Sequence, residues 1–188
     1  QLLEGDWTAG EEDDAYQVIP TAWVQAAQQR WTRTDAPLDV VGVDVAHGGE
    51  DQTVLAHRHG AVLARIDRHP GRTTPDGQAV VALIGRALMG GGRAVIDAMP
   101  PSAFDIARGL GMAVEGVNFG EGSNQRDKSG QFGFSNRRAE MWWRMRELLA
   151  PESDTPIALP PDADVLADLT SARWTVQVSG IKIEPKDD

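Results

Sequence analysis

The sequence predicts a mixed α/β fold in which three antiparallel strands are followed by strands joined through helices. Three observations carry that expectation. Asp39-Val40-Val41-Gly42-Val43-Asp44-Val45 is a nearly continuous run of β-branched apolar residues, the mark of a buried strand. The segments 52–57 and 61–67 follow at hairpin distance. In the second, Val62, Ala64 and Ile66 alternate with Leu63, Arg65 and Asp67, the two-residue period of a strand. From Pro75 to Val117, helix-like and strand-like stretches alternate and give the order βββ-α-β-α-β.

Residues 1–36 read as an arm, polar and loose at Glu11-Glu12-Asp13-Asp14 and helical over Ala22–Ala27. Pro20 stands before that helix, where its missing N–H is no loss. Thr34 to Pro37 reads as a loop, and the main domain spans 37–188. After the meander, Val80, Val81, Leu83, Ile84, Ala87 and Leu88 recur on one side of a helix that Gly90-Gly91-Gly92 ends. Arg93–Asp97 is a short buried strand closing on an acid, 102–110 a helix, and 113–117 another strand. Gly120 to Gly133, rich in Gly, Ser and Asn, reads as a mobile loop. Asn136 can cap a helix over 137–150 that turns Ala139, Trp142, Trp143, Met145, Leu148 and Leu149 inward. Finally, 175–178 and 181–184 flank Ser179-Gly180, a two-residue hairpin signal.

A chain of 188 residues can bury one sizeable core, and 41% hydrophobic residues make it globular rather than disordered. With no cysteine, thiol catalysis and thiolate metal sites are excluded, and the four histidines have no zinc spacing. No apolar run reaches membrane-spanning length and no signal peptide opens the chain, so an intracellular protein is expected. The net charge of −10 argues against a general nucleic-acid coat, which needs clustered Lys and Arg. It does not exclude a metal-dependent nuclease, because a bound cation inverts the local sign of its carboxylates.

Asp44 and Asp97 carry the chemistry. Each is an acid in or at the end of an apolar strand, and burying a lone carboxylate is costly unless it is paired or holds a cation. If the first strand lies beside the fourth, the two acids meet, because adjacent strands are about 4.8 Å apart. A hard divalent cation would relieve their repulsion, and two such ions can drive phosphodiester cleavage. A cap, a turn acid or a salt bridge accounts for such residues equally well until their placement is known. Asp51, after Gly48-Gly49-Glu50, is a third candidate ligand or an ordinary turn acid. His47 can contact metal or phosphate, although loop histidines are ordinarily solvated. Arg126, Lys128, Arg137, Arg138, Arg144 and Arg146 are the cations able to hold phosphate without reading sequence, the alternative being a charged solvent face. Glu140 can serve as a metal-shell group, but an i,i+4 ion pair with Arg144 is the plainer expectation.

These residues resemble a family. Val43 to Thr53 is similar to the first acidic motif of the nuclease domains of phage terminase large subunits, and Ala94-Val95-Ile96-Asp97 to their second acidic strand. Asn136-Arg137-Arg138-Ala139-Glu140-Met141-Trp142 resembles their Asn-x-Arg-Ala-Glu-Met-Trp segment. Ile19-Pro20 with Trp23-Val24 and Ala26-Ala27 resembles the junction that follows their ATPase domain. Leu166-Ala167-Asp168-Leu169 and Ile183-Glu184-Pro185-Lys186-Asp187-Asp188 resemble their late segments.

The resemblance implies a ribonuclease H-like fold and a divalent-metal-dependent endonuclease that cuts concatemeric double-stranded DNA during genome packaging. It implies Asp44 and Asp97 as ligands of Mg²⁺ or Mn²⁺, with two ions bound, while Asp51 stays the third candidate by its place after the turn. The implied partners are duplex DNA, an ATPase domain joined through residues 1–36, a portal and a small terminase subunit, in the host cytoplasm and without a membrane. Two departures stand out. Ala98-Met99-Pro100-Pro101 replaces the family's Gly-rich turn, and the sequence stops at Asp188, short of the family's Ser-Pro-Asp segment with its third acid. No G-x-x-x-x-G-K-[ST] occurs, so the ATPase motor motif is not in these residues. The rivals are an actin-like or sugar-kinase ATPase, whose first strand also carries Gly-x-Asp as Gly42-Val43-Asp44 does, and a catalytically dead DNA-binding or docking module. A resolvase or transposase of the same superfamily would prefer branched or specific DNA.

Overall fold

The apolar run at 40–44 becomes β1 (Val40–Asp44), the middle of a five-stranded sheet. This computed structural model describes residues 13–46, 50–98 and 103–184. β2 (Gln52–His59) and β3 (Val62–Pro70) form the expected antiparallel meander, with Asp44 opposite Val54 and Leu55 opposite Asp67. β4 (Arg93–Asp97) and β5 (Val114–Val117) pair in parallel on the other side of β1, giving the order β3-β2-β1-β4-β5. Parallel neighbours need crossovers, and the helices supply them. α2 (Gly77–Ala87) starts at Asp76, whose side chain accepts from Ala79 N, and leads into β4, while α3 (Ala103–Gly109) leads into β5.

Strand periodicity sends alternate residues to opposite faces. Val41, Val43, Leu55, Ala94 and Ile96 pack on Val80, Val81 and Ile84 of α2 and on Ala103 and Ala107 of α3. The acids lie on the other parity. A second cluster joins α1 (Thr21–Gln29), α4 (Arg137–Leu149) and α5 (Ala163–Ser171) through Val24, Ala139, Leu149, Leu159 and Val165, with Leu63 and Ile66 of β3 against it. The antiparallel pair β6 (Trp174–Gln177) and β7 (Gly180–Ile183) adds Ile181 and Ile183 to that cluster.

Three expectations change. Within the presumed arm, the segment from Gln17 to Ala27 contributes side chains to the core. Val18, Ile19, Val24 and Ala27 are fully buried, and Asp13 accepts from the Thr21 backbone N–H and hydroxyl at the start of α1. An apolar stripe of this length finds more stabilisation under α4 and α5 than in solvent. The hairpin turn falls on Val178-Ser179, one residue earlier than expected, because Gly180 pairs with Gln177. Gly180 has φ +108° and lies against the Gly133 carbonyl, to which Ile181 N–H donates, so its missing side chain serves that approach. The stretch expected as a mobile loop is instead closed on itself. Arg126 bridges to Gly133, Asp127 N–H donates to Phe132 O, and the Asp127 carboxylate accepts from Ser129 and Phe132. Burial raises the Asp127 carboxyl, but these hydrogen bonds outweigh it and hold it below the usual carboxylate range.

The acidic stretch around 162–168 is a helix. Asp162 caps α5 by accepting from Asp164 N and Val165 N, and its carboxylate meets Arg68 of β3 at 2.9 Å. Among the described residues no helix is long and apolar enough to cross a membrane.

Candidate active site

β1 and β4 run parallel with Val43 opposite Ile96, so the next residue on each strand is an acid, Asp44 and Asp97. Both residues share the parity of Gly42 and Val95, which faces away from α2 and α3. Both line one hollow of about 340 Å³ with Gly42, Val43, Val54, Ala56, Val95, Ile96, Val117, Phe119 and Met141. Small residues make the space: a Cβ on Gly42 would lie 3.9 Å from the Ala56 side chain, and neither residue fills the volume above the sheet. Asp44 is exposed and Asp97 half-buried, so the acids open to solvent at the carboxyl ends of the parallel strands. In open α/β sheets, that end is where ligands are ordinarily met.

The other nominated residues are placed differently. Asp51 is exposed and precedes β2 at the same end of the sheet, its backbone carbonyl accepting from Gly71 N. It forms no metal-holding group with Asp44 and Asp97; among the described residues no cluster of three or more such ligands occurs. His47 lies outside the described residues. Thr53, fully buried beside this end, accepts from Ala46 N and bonds the Thr74 hydroxyl at 2.8 Å, which ties the chain after β1 to the sheet.

The cations divide into two kinds. Arg126 donates to the carbonyls of Gly130 and Gln131 and so holds its own loop. Arg137 lies along Glu140, which also accepts from Ser123 at 2.7 Å. Glu140 thus pairs three residues back, and Arg144 turns instead to Glu147 at 2.7 Å and to Arg126 O. Arg146 is half-buried, packed over Trp23 and Trp143 and donating to Val18 O, and burial lowers its pKa. By contrast, among the described residues Lys128 uses its backbone N–H, towards Glu147, and Arg138 donates to Glu184 O at 3.3 Å.

The structure adds two residues to the acid hollow that the sequence did not single out, Phe119 and Met141, each 38% exposed. Both also line a second hollow of about 290 Å³ with Arg138, Trp142, Met145 and Leu169. The sequence signal for the helical part is the spacing of 138, 141, 142 and 145 along α4, which places them on one face. Phe119 follows β5 and carries no comparable local signal.

No family model matches the sequence, and no curated protein matches it. Among solved structures, the fold is similar to the nuclease domain of the large terminase subunit gp2 of bacterial virus Sf6. The TM-score is 0.62 at 18% identity, over 90% of this chain and 88% of that one. A mutant form of that domain with manganese and beta-thujaplicinol gives a TM-score of 0.66 at 18% identity, over 89% of this chain and 87% of that one. The large terminase nuclease from thermophilic phage G20c with bound magnesium gives 0.57 at 15% identity, over 91% and 88% respectively. At these identities the likeness establishes the fold: a mixed five-stranded sheet of the ribonuclease H-like type with a C-terminal strand pair.

Proposed function

We propose that this chain is a divalent-metal-dependent endonuclease acting on double-stranded DNA, the nuclease part of a phage terminase large subunit that cuts concatemers during packaging. The observation that carries the reading is the side-by-side placement of Asp44 and Asp97 at the ends of paired parallel strands, in a fold whose solved neighbours are terminase nucleases. Neighbours holding manganese and magnesium support the choice of Mg²⁺ or Mn²⁺.

The residues fit such ions. Two carboxylates on one face offer oxygen donors of the kind hard cations take. When bound, a pair of divalent ions supplies an activated water and charge stabilisation for the leaving oxygen. Asp44 and Asp97 then hold the centre against the rigid sheet, and the apolar floor of Val54, Ala56 and Val95 keeps it shaped. Lys128 and Arg138 hold phosphates of the flanking backbone. A third carboxylate would complete the ligand set, and Asp51, at the same end of the sheet, would have to be drawn in to supply it. Residues 1–36 lead from a packaging ATPase domain, and a portal and small subunit complete the machine in the host cytoplasm.

Nicking of supercoiled plasmid tests the reading. Mn²⁺ or Mg²⁺ should support cleavage with little sequence preference and EDTA should stop it. Asp44→Asn and Asp97→Asn should each abolish it without loss of fold. Undiminished cleavage by either variant would show that the reading names the wrong residues, and ATP binding without DNA cleavage would favour the kinase-like rival.

A further inference from the structure

The acid hollow does not end at the acids. It shares Phe119 and Met141 with the groove formed by Arg138, Trp142, Met145 and Leu169. Arg138, Met141, Trp142 and Met145 follow the i, i+3, i+4, i+7 spacing of a helix face that would ordinarily be closed over by core. Trp142, Met145 and Leu169 pack partly against the helical core, whereas among the described residues Phe119 and Met141 remain 38% exposed at the junction with the acids. These two residues give the groove an apolar edge that is continuous with the acid hollow.

We propose that this groove receives the nucleoside adjoining the phosphate that is cut, with Phe119 and Met141 against its base and Arg138 on the neighbouring phosphate. The proposal rests on the nuclease reading and specifies its substrate: a strand locally unpaired at the cut. A ligand spanning both hollows must place a phosphodiester at Asp44 and Asp97 and a flat apolar body in the groove beside them. A nucleotide unit has both parts within one repeat. A phenyl ring and a thioether both make favourable contacts with an aromatic base. Among the described residues Arg138 donates to Glu184 O, and a guanidinium has five N–H donors, so it can also meet a phosphate at the groove's rim. Contacts of this kind take any base, in keeping with weak sequence preference.

Two measurements on the whole chain separate this proposal from the nuclease reading itself. The first needs no cleavage: an Asp97→Asn protein is irradiated with a single-stranded oligonucleotide carrying 5-iododeoxyuridine, and the crosslinked peptides are mapped. Crosslinks at Phe119, Met141 or Trp142 are expected. Crosslinks confined to other surfaces, or none because the chain's own C-terminal residues fill the groove, would overturn the proposal whatever the nuclease activity. The second compares hydrolysis of thymidine 5′-(p-nitrophenyl phosphate) with methyl p-nitrophenyl phosphate, which has no nucleoside. Phe119→Ala should lower the ratio of kcat/KM for the two esters about tenfold, within the range that loss of one stacked base gives. An unchanged ratio counts against the groove. Failure of the unsubstituted protein to cut either ester with Mn²⁺ counts against the nuclease reading, with the crosslinks still deciding the groove.

Discussion

Asp44 and Asp97 stand one position beyond the parallel register pair of Val43 and Ile96, so two acids far apart in sequence end adjacent strands at the same level. Their separation is set by the strand spacing, about 4.8 Å, rather than by any loop. Both β1 and β4 are anchored on their far face by Val41, Val43, Ala94 and Ile96, which makes the pair a rigid feature of the sheet.

Asp51 gives the first prediction. It sits at the same end of the sheet but outside any ligand group with the two strand acids. Asp51→Asn should therefore slow metal-dependent nicking by less than tenfold, whereas Asp44→Asn should remove it. Matched single-turnover rates in Mn²⁺ decide this, and equal losses would make Asp51 a ligand drawn in on metal binding.

The strand acids were legible because the signal is local, an acid closing a short β-branched run, although the expected burial cost does not apply: Asp44 is exposed and Asp97 half-buried. The meander, the Asn136 cap and the α4 helix were legible for the same reason, each being written in a short periodic stretch with its own stop or cap. What could not be read was decided across distance. The burial of Val18 and Ile19 depends on α4 and α5, and the position of the hairpin turn depends on the carbonyl of Gly133, which lies well before both hairpin strands in the sequence. α5 was readable in principle, since Asp162 precedes Val165, Leu166 and Leu169 at helical spacing, but its acids suggest a solvated surface first. The groove beside the site combines α4, α5 and the segment after β5, and no single stretch announces it.

His57 predicts a pH dependence. It is 3% exposed, and burial with the nearby Arg65 charge lowers its pKa below 6.5 despite the Asp67 carboxylate at 2.9 Å, with His59 adding to the lowering. A folded pKa below the unfolded one means that the unfolded chain takes the proton first. The stabilisation is fully present above pH 6.5 and is lost as the pH falls through the lower folded value. Asp14, Asp127 and Asp162, held below 3.8, respond in more acidic solution, so the window near pH 5–7 reports the histidine. The melting temperature should fall on acidification across that window, and His57→Gln should flatten the fall. An identical slope in the variant would remove His57 from the account.

Gly180 predicts a cost in stability. At φ +108° a side chain is strained, and an added Cβ would meet the Gly133 carbonyl, which is backbone and cannot swing aside. Gly180→Ala should destabilise the chain by about 2 kcal/mol or more, roughly 4–8 °C in Tm for a domain of this size. Thermal unfolding followed by circular dichroism measures it; a shift within a degree of zero would mean that the hairpin is free to move off Gly133.

Four of the six nominated DNA cations predict two distinguishable outcomes. Arg126 and Arg137 already serve the protein, one closing its loop onto Gly130 and Gln131, the other lying on Glu140. Removing either takes away internal hydrogen bonds, so Arg126→Ala and Arg137→Ala should lower thermal stability. Lys128 has no side-chain hydrogen bond or ion pair among the described residues, and Arg138 makes one bond to a carbonyl at the rim of the groove. Their substitution by alanine should leave Tm nearly unchanged and weaken duplex binding at low salt. Each phosphate contact releases counterions, so each loss should flatten the slope of log K against log salt by about 0.9. Titrations at several salt concentrations, with Ca²⁺ in place of Mn²⁺ to limit cleavage, read both affinity and slope. If Arg138→Ala weakens binding equally at every salt concentration, its role is to shape the groove rather than to hold phosphate. If Arg137→Ala flattens the slope while Tm holds, the ion pair with Glu140 opens for DNA and the division drawn from the free chain is wrong.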